Sequence, residues 1–110
     1  MDVSVLRGGK AAKPGLVFFH STLSGRCRRV DGFLAQVLQR RRNHVTFSLY
    51  RVAFEERPDL FTQFGVTIMP TLVVVEGKTI SARIEEPRGS REIEAFLAPW
   101  LQGLAEYPAA

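Results

Sequence analysis

Cys27 is the single thiol in a chain of 110 residues, and that count decides which sulfur chemistry is open to it. One cysteine excludes an intramolecular disulfide, a thiolate-rich zinc site, an iron–sulfur cluster and a dithiol redox cycle within one chain. Arg26, Arg28 and Arg29 surround it, and fixed positive charge beside a thiol in the first turn of a helix lowers its pKa from about 8.5. Two readings stay open. An exposed Cys27 forms mixed disulfides with glutathione or a protein by exchange with their disulfides, whereas a buried one behaves as a small hydrophobe. Ser24, three residues earlier, is the other candidate. A hydroxyl has no thiolate-like form near neutral pH and cannot form a disulfide with a substrate. Nothing in the sequence places His20 or His44 against it with an orienting carboxylate. Its oxygen suits an N-cap instead, accepting from a backbone N–H one turn into the helix that follows.

The charged residues offer a second kind of chemistry. Arginines outnumber lysines twelve to three, and the net charge of +4 hides an asymmetry, +8 over residues 1–51 and −4 over residues 52–110. Planar guanidinium groups recognise anions, although the coding bias of a GC-rich genome produces the same excess. Arg26, Arg28 and Arg29 and the run Arg40-Arg41-Arg42 fall at opposite ends of one expected helix, about 20 Å apart at its rise per residue. They need not form one patch, so a solvated basic face is expected rather than nucleic-acid binding.

These side chains must be positioned by a single domain, since 110 residues leave no room for a second and suffice for a core without metal or disulfide staples. Val3–Leu6 is a possible short strand, and residues 7–15, rich in Gly, Lys and Pro, read as a loop. Leu16-Val17-Phe18-Phe19 is a continuous apolar run that suits a strand covered on both faces. After a polar turn over His20–Arg26, residues Cys27, Val30, Phe33, Leu34, Val37 and Leu38 keep the spacing of one helical face. Arg40-Arg41-Arg42, complementing the helix dipole, and Asn43 mark its end. Val45–Val52 reads as a strand, and Pro58 opens a short helix to Phe64 that Gly65 closes. Thr71–Val75 and Lys78–Ile84 form a hairpin about Glu76-Gly77. Ser90 is expected to cap a last helix carrying Ile93, Phe96, Leu97, Trp100, Leu101 and Leu104, bent or broken at Pro99. The divisions are a short N-terminal segment over 1–15, a domain over 16–104 and a tail over 105–110.

This order of elements, Phe18-Phe19 before a turn, Cys27 at a helix start, and the stretch from Pro58 to Ile68-Met69-Pro70-Thr71 ahead of a hairpin resemble the thioredoxin family over about residues 16–102. The resemblance implies an α/β fold, a three-layer α/β/α sandwich around a central mixed β-sheet. The N-terminal strand–helix unit is reduced, because residues 1–15 are too few for both. It implies that Pro70 is the family's cis-proline, and that the backbone of Met69 pairs with an extended substrate segment. Ser24-Gly25-Arg26-Cys27 match the two-cysteine motif, with serine at the attacking position and Cys27 at the resolving one. Further departures are Leu23 for a tryptophan, Val17 for the buried acid of the central strand and Gly32 for a kink proline. Arg51 lies near the place of the lysine that partners that acid. The turn from Phe19 to Ser24 is one residue longer than usual.

The expectation is therefore a thioredoxin-like protein without the dithiol site, a non-catalytic peptide- or protein-binding or chaperone-like module. Its groove is formed by Ser24, Gly25, Arg26, Met69 and Pro70. The alternative is a monothiol disulfide oxidoreductase or thiol redox sensor using Cys27. No cofactor and no metal are expected; the partners are protein or peptide clients, and a homodimer is one way to cover a sheet edge left bare by the reduced N-terminus. No stretch approaches the roughly 20 apolar residues of a membrane span, and Met1-Asp2-Val3-Ser4 lacks the start of a secretory signal, so the expected location is the cytoplasm.

Overall fold

A computed structural model describes residues 13–40 and 46–101. The expected strand at Val3–Leu6, the stop at Asn43 and the apolar Leu104 lie outside them. The first element is β1 (Gly15–His20), whose Leu16, Val17, Phe18 and Phe19 are all at most 1% exposed. An unbroken apolar run is tolerated there because β1 lies inside the sheet, between β2 (Ser48–Ala53) and β3 (Thr71–Glu76). β4 (Thr79–Glu85) completes the order β2-β1-β3-β4. β1 runs parallel to β2 and antiparallel to β3, and β3–β4 is an antiparallel hairpin, so the sheet is mixed.

Alternation of side chains across β1 divides the core in two. Leu16 and Phe18, with Leu72 and Val74 of β3, pack against α1 (Gly25–Gln39) and α3 (Ser90–Leu97). Val17 and Phe19, with Val52, Val73 and Val75, pack on the opposite face against Leu60, Phe61 and Phe64 of α2 (Pro58–Phe64). The result is the three-layer α/β/α arrangement. Among the described residues no helix is long and apolar enough to cross a membrane.

The helix ends show where local signals held and where they did not. Pro58 begins α2, and Gly65, at φ 68, closes it in the left-handed conformation that glycine adopts without steric cost. α3 stops at Leu97, two residues before Pro99. Its N-cap is Gly89 rather than the expected Ser90, which is already helical. No side chain caps α3; Glu92 in its first turn instead accepts from the backbone N–H of Arg88, just ahead of the cap, at 2.7 Å. α1 begins two residues before Cys27, and no basic side chain occupies its last turn. Arg40 is the C-cap, and its guanidinium pairs with Glu94 of α3 at 2.6 Å. β2 starts at Ser48, later than Val45, after a turn at Thr46–Phe47.

Candidate functional site

The loops that carry the candidate residues meet at one end of the sheet. Parallel β1 and β2 finish at His20 and Ala53, and antiparallel β3 begins there, with Phe19 opposite Thr71. The β1–α1 loop, the loop after β2 and the segment leading into β3 are therefore neighbours.

Ser24 is the N-cap of α1: its backbone is extended, and its hydroxyl oxygen accepts from the Cys27 N–H at 3.2 Å. That bond satisfies one of the donors that a helix N-terminus leaves without an intrahelical partner. Cys27 is 1% exposed and packs in the α1–α3 side of the core with Val30, Phe18 and Leu72. Its sulfur accepts from the backbone N–H of Ser21 at 3.5 Å. Buried and held by the loop, this thiol is the small-hydrophobe alternative of the two the sequence left open. His20 stacks on Phe18 with ring centroids 5.0 Å apart. Of the described residues, none places an imidazole and a carboxylate in series against Ser24.

The segment before β3 is anchored differently. The Met69–Pro70 peptide bond is cis. Thr71, fully buried, donates its hydroxyl to the carbonyl of Ile68 at 2.6 Å. The Pro70 carbonyl accepts from the Glu86 N–H at 2.8 Å. Met69 makes no backbone hydrogen bond with any other described residue. Glu86 joins this segment to the helix: its carboxylate pairs with Arg26 at 2.5 Å, so Arg26, Glu86 and Pro70 form one chain of contacts. Gly25 stands exposed at the first position of α1, beside Arg26. The structure thus brings Ser24, Gly25 and Arg26 to the same end of the sheet as Met69 and Pro70, while Cys27 lies underneath.

Three apolar side chains break the surface at this end. Leu23 in the β1–α1 loop is 84% exposed, Phe54 after β2 is 45% exposed and Ile68 before the cis bond is 36% exposed. Phe54 is braced edge-on by Phe61, their centroids 5.2 Å apart. Val17, by contrast, is fully buried among apolar side chains. Arg51, whose partner the sequence left open, forms an ion pair with Asp31 of α1, Nη2 to Oδ1 3.0 Å. Among the described residues no group of three or more His, Cys, Asp or Glu is gathered to hold a metal.

Two residues of the site escaped the sequence reading. Glu55 ties down the β1–α1 loop, accepting from the Ser21 hydroxyl and, at 3.1 Å, from the Thr22 N–H. The Ser21 hydroxyl, followed by backbone donors including that of Thr22, holds the Glu55 carboxyl below the usual carboxylate range. Glu86 has φ 50, a left-handed backbone in a residue with a Cβ. Such conformations cost about 1–3 kcal/mol and gather at functional sites. A glutamate at either position has no sequence signal that separates it from an ordinary surface acid.

The thioredoxin family model matches residues 5–99. A thioredoxin of Alicyclobacillus acidocaldarius is 30% identical over 101 residues, covering 92% of this chain and 94% of its own. Desulfothioredoxin of Desulfovibrio vulgaris Hildenborough, in its reduced form, superposes with a TM-score of 0.68 at 25% identity, covering 79% of this chain and 81% of that one. Trxlp from Edwardsiella tarda shares the fold at a TM-score of 0.70 and 19% identity, with 77% and 82% of the two chains covered.

Proposed function

The chain belongs to the thioredoxin family, and from that premise we propose that it is a non-catalytic member that binds extended peptide segments without exchanging disulfides. The observation that carries this reading is the pairing of Ser24 and Cys27: the exposed end of α1 presents a hydroxyl already used as a helix cap, and the thiol below it is buried. Disulfide exchange needs a thiolate attacking in line on a substrate sulfur, and neither position supplies one. The binding surface remains. A client strand lies along the segment before β3 and hydrogen-bonds to the backbone N–H and C=O of Met69, which have no backbone partner among the described residues, a β-augmentation contact. Leu23, Phe54 and Ile68 supply apolar contact beside it. Ser24, Gly25 and Arg26 form the opposite wall, and Pro70 forms the floor. The clients are proteins or peptides, and the expected setting is the cytoplasm.

Insulin reduction with dithiothreitol tests the reading. The protein is expected to give no turnover above the reagent alone, while Ser24→Cys, which restores a thiol three residues before Cys27, is expected to gain it. Turnover by the unaltered protein comparable to that of a thioredoxin overturns the proposal. A monothiol oxidoreductase or redox sensor requires Cys27 to be reached, and its glutathionylation in native protein by oxidised glutathione at neutral pH, with release of one reduced glutathione and read by intact mass, would favour that alternative.

A further inference from the structure

A cleft of 340 Å³ opens beside the proposed groove, between the first half of α1 and the loop joining β4 to α3. Val30, Phe33 and Pro87 line it with apolar surface, and Arg26, Arg29, Arg88 and Glu86 supply its charge. Five arginines among the described residues pair with a carboxylate, whereas Arg28, Arg29, Arg88 and Arg91 do not, and of these four Arg29 and Arg88 line the cleft. Arg40, Arg51, Arg57 and Arg83 each meet a carboxylate, and in the cleft Glu86 is taken by Arg26. The side chains of Arg29 and Arg88 meet no carboxylate among the described residues. Two guanidinium groups with no carboxylate partner among the described residues thus line a concave surface whose one acid, Glu86, is paired with Arg26. Arg29 comes from the helix and Arg88 from the opposite loop, so they stand on its two sides. The cleft is continuous with the groove through Arg26 and Glu86, which reach Pro70.

We infer that this cleft selects acidic peptide segments: a client strand paired with Met69 places an Asp or Glu carboxylate between Arg29 and Arg88. The inference rests on the peptide-binding reading above and names the kind of segment that site accepts. Charge complementarity chooses the occupant. A guanidinium takes a carboxylate through two parallel N–H···O bonds, and the apolar floor holds the methylenes of the same side chain. A basic segment meets repulsion from both arginines.

The test uses a fluorescein-labelled octapeptide, Glu-Glu-Val-Thr-Val-Thr-Glu-Glu, with its Gln and Lys counterparts, read by fluorescence anisotropy. The glutamate peptide is expected to bind the full chain about fivefold more tightly than the glutamine one, and the lysine one more weakly still, in line with the modest worth of partly exposed ion pairs. The preference should shrink at 0.5 M salt as screening rises. The Arg29→Gln/Arg88→Gln double variant should bring the glutamate and glutamine peptides to about the same affinity. Equal binding of the two by the unaltered protein, or an undiminished preference in the double variant, overturns the inference and leaves the groove standing. A preference accompanied by no change in the Met69 amide resonance overturns the groove while the acid site stands. Displacement of the glutamate peptide by an equal concentration of inorganic phosphate shows a small-anion site and overturns the peptide assignment, and failure of all three peptides to bind overturns both.

Discussion

Glu55 shows how one exposed side chain sets the shape of the site. Its carboxylate is the acceptor for Ser21 and Thr22. Ser21 in turn supplies the N–H that reaches the Cys27 sulfur and the hydroxyl that accepts from Leu23 N–H at 3.2 Å. The β1–α1 loop thus hangs on an ionised acid. Because hydrogen bonds to the ionised form depress its pKa in the folded state, the support is complete above the unfolded pKa and is lost as pH falls through the folded one. Carboxyl NMR is expected to place the Glu55 midpoint below the ordinary glutamate value. The Thr22 amide should lose exchange protection over the same acid range, and in Glu55→Gln it should show no such step. A midpoint at or above the ordinary value would contradict the arrangement. At the same scale Ser24 carries two meanings, a cap in the helix and a missing nucleophile in the proposed function. Only the cap is a matter of geometry.

At the scale of elements, α1 is the part that holds cap, thiol and half of the arginine cleft on one rigid body. Its buried stripe of Cys27, Val30, Leu34, Val37 and Leu38 follows the helical spacing seen in the sequence. Gly32 interrupts an otherwise good helix former without a steric reason, since a Cβ added there would meet nothing within 4 Å. Gly32→Ala is therefore expected to stabilise the fold by about 0.5–1 kcal/mol through the backbone entropy that glycine loses in a helix. Urea denaturation with an unchanged m-value would report it, and a loss of stability would show that the site has a contact partner. The element ends were less legible. Ser90 has the right chemistry for a cap, yet the loop delivers Gly89 to that position and Glu92 closes the turn. Which residue becomes the cap depends on the path of the incoming loop, which short-range preference does not contain.

For the whole molecule, the central position of β1 matters most, because it separates the core into two apolar layers on opposite faces of the sheet, with Met69 packed against both. Ile93 in α3 and Leu60 in α2 lie in different layers. Ile93→Val should cost about 0.5–1.5 kcal/mol and Leu60→Ala about 2–5 kcal/mol. Since the two lie on opposite faces of the sheet, the double variant should equal their combined effect within about 0.5 kcal/mol. A larger departure in urea titrations would mean that strain passes through the sheet from one layer to the other. The sequence by itself determined the layers: the apolar run of Leu16–Phe19, the helical stripe from Cys27 and the hairpin at Gly77 are local periodicities, and a chain can satisfy them in few ways. It also determined that Cys27 has no second thiol to work with. Tertiary structure alone decided that Cys27 is buried, that Glu86 bridges Arg26 to Pro70, and that Arg29 and Arg88 face one cleft. Burial and charge pairing are sums over neighbours distant in the chain, so no window of sequence holds the terms that fix them.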